Sequence, residues 1–234
     1  MHVHYRPWIG SLYREGGLFG KRVLVLGESH YNDWSGERHD EEASDRDFTI
    51  RCIEDVTNPD LGGARFWRRL RDVLGGPEFR HRPMADFYHR VAFYNFVQRP
   101  IDGGPRTRPS REQFGHPDNA PAFREVLDEL RPERLYVSGK GHWAHLPPRE
   151  AKAAHPLHCG RHSFEIAVYR LADGAPVFTT CTVHPSSGRY PNDLHEGLRR
   201  FVEASYEELD ALFRRAGNAR RSRRRLDATT GRRP

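Results

Sequence analysis

Four consecutive apolar residues, Val23-Leu24-Val25-Leu26, follow Arg22 and run straight into Gly27-Glu28-Ser29-His30-Tyr31-Asn32-Asp33. Successive side chains of a strand point to opposite faces, so a strand apolar at every position must be covered on both. That demands a parallel sheet with helices on each side. A second strand-like run, Val177 to Val183, leads in the same way into His184-Pro185-Ser186-Ser187-Gly188-Arg189-Tyr190. In parallel α/β sheets ligands bind where loops leave the carboxyl ends of strands. Two polar, glycine-punctuated loops leaving two such strands can therefore meet over one pocket.

The rest of the pattern agrees. Phe66, Trp67, Leu70, Val73 and Leu74 recur at helical spacing, and Gly75-Gly76-Pro77 ends that helix. Residues 91–97 predict another strand, and Phe123, Val126, Leu127 and Leu130 another amphipathic helix, closed by Pro132. Leu135-Tyr136-Val137 then enters Ser138-Gly139-Lys140-Gly141. Residues 164–170 and 176–183 can pair as neighbouring strands across Asp173-Gly174. One last helix, starting near Pro191, collects Leu194, Leu198, Phe201, Val202, Leu209, Leu212 and Phe213 on one face. Alternating strands and helices imply an α/β fold, a three-layer α/β/α sandwich around a mostly parallel four-stranded sheet. Residues 32–47, rich in Asp, Glu, Ser and Gly, read as a long functional loop.

Length and charge set the remaining bounds. The 234 residues suit one domain, residues 1–215, followed by a basic tail, 216–234. From Arg214 onward nine arginines face one aspartate, a local charge of +8 within a net charge of +6, so the body is near neutral at −2. A segment so poor in large apolar residues is expected to be disordered and to suit non-specific contact with phosphates. No run approaches the roughly 20 apolar residues of a membrane span, and Met1 to Arg6 lack the apolar core of a secretory leader. Cys52, Cys159 and Cys181 make no disulfide framework. A cytoplasmic monomer without a membrane partner is the simplest expectation. His155, His158, Cys159 and His162 follow no standard zinc spacing, so neither a metal nor a cofactor is expected. Trp8, Trp34, Trp67 and Trp143 read as core or rim.

The paired loops resemble those of the uracil-DNA glycosylase superfamily. Its first motif follows the first strand and opens with glycine, as Gly-Gln-Asp-Pro-Tyr in one branch and Gly-Glu-Ala-Pro-Gly in another; Gly27-Glu28-Ser29-His30-Tyr31 aligns with it. The late motif, His-Pro-Ser, is matched by His184-Pro185-Ser186. Asn95, in Phe93-Tyr94-Asn95-Phe96, stands where the family reads the base, and Ser138-Gly139-Lys140 is similar to its small-residue turn. The likeness covers roughly residues 20–215. It extends to a branch with Gly-Glu-Ser-His-Tyr and Tyr-Asn-Phe-Val-Gln signatures, some of whose relatives act on modified bases in phage DNA.

The resemblance implies a DNA glycosylase acting on a flipped-out damaged or modified base, in repair or antiviral defence. His184 would hydrogen-bond the departing base, while Gly27, His30, Tyr31 and Asn95 would line its pocket. Asp33, Gly139, Lys140, Ser186, Ser187, Gly188, Arg189 and Tyr190 would contact DNA, Arg189 or Tyr190 filling the gap in the stack. One departure matters. Ser29 stands where the most active branch carries a water-activating Asp, leaving Glu28, Ser29 or Asp33 to position the water. A family iron–sulfur cluster is excluded, since it takes four cysteine ligands. Lys140 suits phosphate contact better than covalent catalysis, so the enzyme would be monofunctional.

Two other functions compete. Gly27-Glu28-Ser29 resembles the Gly-Asp-Ser block of the SGNH hydrolases, and Asp193-Leu194-His195 faintly matches their late Asp-x-x-His, one residue too short. That reading makes Ser29 a nucleophile for ester cleavage. The third reading is a catalytically inert nucleic-acid binding module of the same fold.

Overall fold

The structure, a computed structural model, describes residues 2–31, 44–61, 65–102, 104, 107–185, 187 and 193–214. Asp33, Trp34, Ser186, Gly188, Arg189, Tyr190, Pro191 and the basic segment 216–234 lie outside the described residues.

Strand β1 (Trp8–Ile9) is short. Strand β2 (Val23–Gly27) is buried along its whole length, as is β3 (Val91–Asn95). Strands β4 (Arg134–Val137), β5 (Ala151–Lys152), β6 (Leu157–Cys159), β7 (His162–Phe164), β8 (Ala167–Arg170) and β9 (Pro176–Cys181) follow in the chain. The main sheet has seven strands in the order β1-β3-β2-β4-β9-β8-β5. Its centre, β3-β2-β4-β9, is parallel throughout, whereas β1, β8 and β5 pair antiparallel with their neighbours. The expected four parallel strands are therefore the middle of a wider sheet. Of the three extra strands, β8 pairs with β9 as the sequence suggests and with β5 on its other side, while β1 and β5 form the edges and, at two residues each, are too short to carry a periodicity.

Helices α1 (Phe48–Thr57), α2 (Arg65–Leu74), α3 (Pro77–Arg80) and α4 (Met84–Tyr88) precede β3. Helices α5 (Arg111–Phe114) and α6 (Asn119–Leu130) precede β4, and α7 (Lys140–Trp143) follows it. The uniform apolarity of the central strands is explained by the two cores. Val23, Val25, Val91 and Phe93 face Ile53, Leu70, Phe87 and Phe201 on one side. Leu24, Leu26, Ala92 and Tyr94 face Phe123, Val126 and Leu127 of α6 on the other. A polar residue at any of these positions would be desolvated.

Two predicted elements are divided. The single last helix is two, α8 (Leu194–Glu203) and α9 (Tyr206–Ala211). Ser205 breaks it, because its hydroxyl accepts from the Glu208 amide while the Glu208 carboxylate accepts from the Ser205 amide, a reciprocal cap that starts a new helix. The buried Arg134 guanidinium donates to the carbonyls of Phe201 and Ala204, satisfying the end of α8. Residues 164–170 likewise belong to two strands in different sheets, β7 pairing with β6 in a separate hairpin and β8 with β9.

Register brings the strand ends together. Gly27 sits opposite Asn95, Leu26 opposite Val137, and Val137 opposite Cys181. The loops carrying Glu28, Asn95, Gly139 and His184 thus leave one edge of the sheet. Among the described residues, no helix is long and apolar enough to cross a membrane.

Candidate active site

The chain leaving β2 is held by the chain leaving β3. Gly27 and Glu28 carbonyls accept from the amides of Phe96 and Val97, and the His30 carbonyl from that of Ile101. Gln98, almost wholly buried, ties this exit down: its amide group donates to the Asn95 carbonyl at 2.7 Å, and its backbone amide donates to Asn119 Oδ1 at 3.0 Å. Gly27 must be glycine here, since a Cβ at that position would lie 2.1 Å from Asn95 Oδ1 and 2.7 Å from Phe93 Cζ. The Asn95 side chain therefore lies over the end of β2.

Glu28 is nearly buried, its side chain only 9% exposed, and its Oε2 lies 3.7 Å from Nδ1 of the fully buried His142 on α7. That is ion-pair range, longer than a hydrogen bond. Gly139, at φ +150°, supplies the turn into α7 that a residue with a side chain would resist. A Cβ on it would sit 3.2 Å from His142 Nδ1 and 3.6 Å from His184 Cδ2, so the two imidazoles flank this glycine. A Cβ on Gly141 would sit 2.7 Å from Arg108 Nη1 and 3.8 Å from Glu28 Oε2. Glu28, Arg108, His142 and His184 thus surround the two glycines of the Ser138-Gly139-Lys140-Gly141 turn.

Their charges are coupled. Burial pushes the Glu28 carboxyl up, but His142, Arg108 and His184 together hold it below the ordinary carboxylate range. It is an anion at neutral pH. Burial pushes the His184 imidazole down; Glu28 opposes this, His142 and Arg108 reinforce it, and the balance is a lowered pKa. At neutral pH His184 is therefore neutral while Glu28 is charged. Burial and then the Glu28 charge raise the Tyr31 hydroxyl, which keeps its proton. One carboxylate after β2 and one neutral imidazole after β9, on either side of the β4 end, can stabilise positive and negative charge at the same edge of the sheet.

Helix α2 secures the late loop. Phe66 stacks on the His184 ring, with centroids 5.2 Å apart and planes 24° from parallel. One turn on, Arg69 Nη1 donates to the carbonyls of Pro185 at 3.0 Å and Ser187 at 2.9 Å. The Ser187 amide in turn donates to the His184 carbonyl. Beside the site a cavity of about 650 Å³ opens, lined in part by Lys140, Trp143, Cys181, Thr182 and Val183.

Not every expected residue joins this cluster. His30 packs between Tyr5 and Phe48 and shares a 2.8 Å hydrogen bond with Thr49 of α1, so it anchors the loop to the helix. Burial drives its pKa to about 3. Ser29 is buried, and no hydrogen bond of good geometry reaches its hydroxyl among the described residues. The Tyr31 hydroxyl lies close enough to Ser29 to feel its side chain. Lys140 is exposed at the start of α7. His162 lies 2.9 Å from Asp193, and among the described residues no group of three or more His, Cys, Asp or Glu is arranged to hold a metal ion.

The sequence pattern gives Arg108, His142 and Arg69 no site role, Phe66 only a place on a helix, and Gln98 only the end of the Tyr94-Asn95-Phe96-Val97-Gln98 signature. His142 had a signal, a histidine two residues past the Gly139-Lys140 turn; Phe66 and Arg69 read simply as helix, and Arg108 sits in a segment without periodicity. Compared with known proteins, the chain matches no family model and no curated sequence.

Proposed function

We propose that this protein is a monofunctional DNA glycosylase that hydrolyses the N-glycosidic bond of an extruded base and leaves an abasic site. The observation that carries the reading is the pairing of an ionised Glu28 with a neutral His184 where β2 and β9 end. A base within a duplex must first be flipped out, at a cost of a few kcal/mol. As the bond from C1′ to the base nitrogen breaks, its electron pair leaves with the base. His184 donates its N–H to the base oxygen on which that charge collects, an interaction typically worth roughly 3 kcal/mol. The Glu28 carboxylate stabilises the cationic sugar and takes a proton from the water whose oxygen bonds C1′. Asn95 can donate and accept along a base edge, and Tyr31 can wall the pocket. The target, uracil-like or a modified phage base, is set by the pocket and is part of the same proposal, as are a role in repair or antiviral defence and a monomer working on single- or double-stranded DNA.

The hydrolase reading is disfavoured by two observations. Among the described residues no base hydrogen-bonds the buried Ser29 hydroxyl, and Asp193 pairs with Arg161 and His162.

The test is incubation with duplexes carrying uracil, deaminated purines, alkylated bases or glucosylated hydroxymethylcytosine, followed by alkali, with released bases identified by mass spectrometry. Strand breaks on at least one substrate are expected, lost with Glu28→Gln and reduced by a factor of about 10² to 10³ with His184→Ala. Binding without abasic sites on every substrate would favour the inert module. Borohydride trapping of a protein–DNA adduct would overturn the monofunctional assignment.

A further inference from the structure

We propose that His142 is a positioning residue for Glu28, holding the carboxylate ionised and in one orientation through its Nδ1. The inference deepens the glycosylase reading and rests on it for the role of Glu28. Three observations converge. His142 is completely buried, and neither ring nitrogen has a hydrogen-bond partner among the described residues. Buried polar atoms in native folds are nearly always satisfied, so two orphans on one ring call for a use. Nδ1 is the nitrogen nearest the carboxylate, 3.7 Å from Oε2, and Gly139 leaves the space beside it clear of any side chain. An ionised carboxylate only accepts, so the nitrogen facing it must carry the proton. A side-chain adjustment of under 1 Å closes the gap to a hydrogen bond, as catalytic contacts commonly tighten when substrate binds.

The groups facing Glu28 are His142 from α7, Arg108 from the segment before α5, His184 from the loop after β9, and Tyr31 from its own loop. His184 is committed to the departing base in the proposed reaction. His142 lies behind the carboxylate, wholly out of solvent, and suits support rather than substrate contact. Removing it leaves burial of Glu28 less opposed, so the carboxyl must titrate at higher pH.

His142→Asn and His142→Gln test this. The Asn amide nitrogen falls near the place of Nδ1, whereas the Gln amide nitrogen falls near that of Nε2. The Glu28 titration is followed by carbon NMR of glutamate-labelled protein, its resonance assigned through Glu28→Gln. The midpoint is expected to rise in His142→Gln and to stay near the native one in His142→Asn. An unchanged midpoint in both, or an equal rise in both, overturns the proposal. If both variants fail to fold by thermal unfolding, the nitrogen resonance of His142 Nδ1 is compared between native protein and Glu28→Gln; no movement overturns it. These readouts need no turnover, so protein that releases no base refutes the glycosylase reading while leaving this one measurable. With a cleavable substrate in hand, His142→Gln is expected to lower kcat about a hundredfold with KM retained and to move the acid limb of the rate profile to higher pH. An unshifted profile overturns the role.

Discussion

His30 shows how a residue inside a functional motif can serve the fold. Its ring is packed by Tyr5 and Phe48, bonded to Thr49, and held neutral by burial with a pKa near 3, against an ordinary value of 6.5. Between those two values the unfolded chain binds a proton that the folded chain refuses. Stability from this residue is therefore complete above pH 6.5 and is lost as pH falls toward 3. The full loss is on the order of 5 kcal/mol. His184, also depressed, contributes in the same direction at the upper end of this window, and Glu28, depressed in turn, contributes below its ordinary 4.5. Urea unfolding of the native protein and of His30→Gln at a series of pH values separates them. The variant is expected to be less stable at pH 7 but to lose less on acidification, and parallel curves for the two proteins would remove His30 from the account. Its place in the Gly27-to-Tyr31 motif predicts a pocket residue, because neighbours in a motif commonly share a task. Only the packing of α1 shows where this ring goes.

Among the elements, α2 does the most that its own sequence conceals. Its apolar spacing was legible and its burial follows from it, but the same face carries Phe66 onto His184 and Arg69 onto the loop that holds His184. Long-range pairing of this kind leaves no periodic trace, which is why Arg69 reads from the chain as one more solvated arginine. A single nitrogen, Nη1, serves both carbonyls, so the contact needs a cation at a point more than it needs a guanidinium fork. Arg69→Lys is accordingly expected to keep most of the loop's order and Arg69→Met to lose it, at a cost of about 1 kcal/mol each hydrogen bond. Hydrogen exchange at the Ser187 amide, which bonds the His184 carbonyl, reads this directly. Faster exchange in Arg69→Met than in Arg69→Lys is expected; equal protection in both would show that Phe66 stacking alone fixes the loop. The division between α8 and α9 has a related cause. The apolar stripe runs through both helices, yet a local cap at Ser205 and a buried guanidinium from β4 end the first one early.

At the scale of the whole molecule, the pattern of burial was the readable part. Val23 to Leu26 announced a sheet covered on both faces, and the motif loops announced the edge where a site could form. The short edge strands and Arg108 were not readable, because their positions follow from what the sheet packs against. Charge is the other property of the whole chain, and it is distributed unevenly. Residues 216–234 hold seven arginines and one aspartate, on a body that is otherwise close to neutral. Phosphate binding by such a segment releases condensed counterions, and each contact contributes roughly 0.9 to the slope of log affinity against log salt on duplex DNA. Removing 216–234 should therefore weaken binding to an undamaged duplex strongly at low salt and little at high salt, with a shallower slope. Base release per bound substrate should be unchanged, because the residues proposed to act on the base all precede Arg214. A slope that stays the same after truncation would assign the affinity to the body alone. A rate that falls at saturating DNA would mean instead that the arginines act on the chemistry.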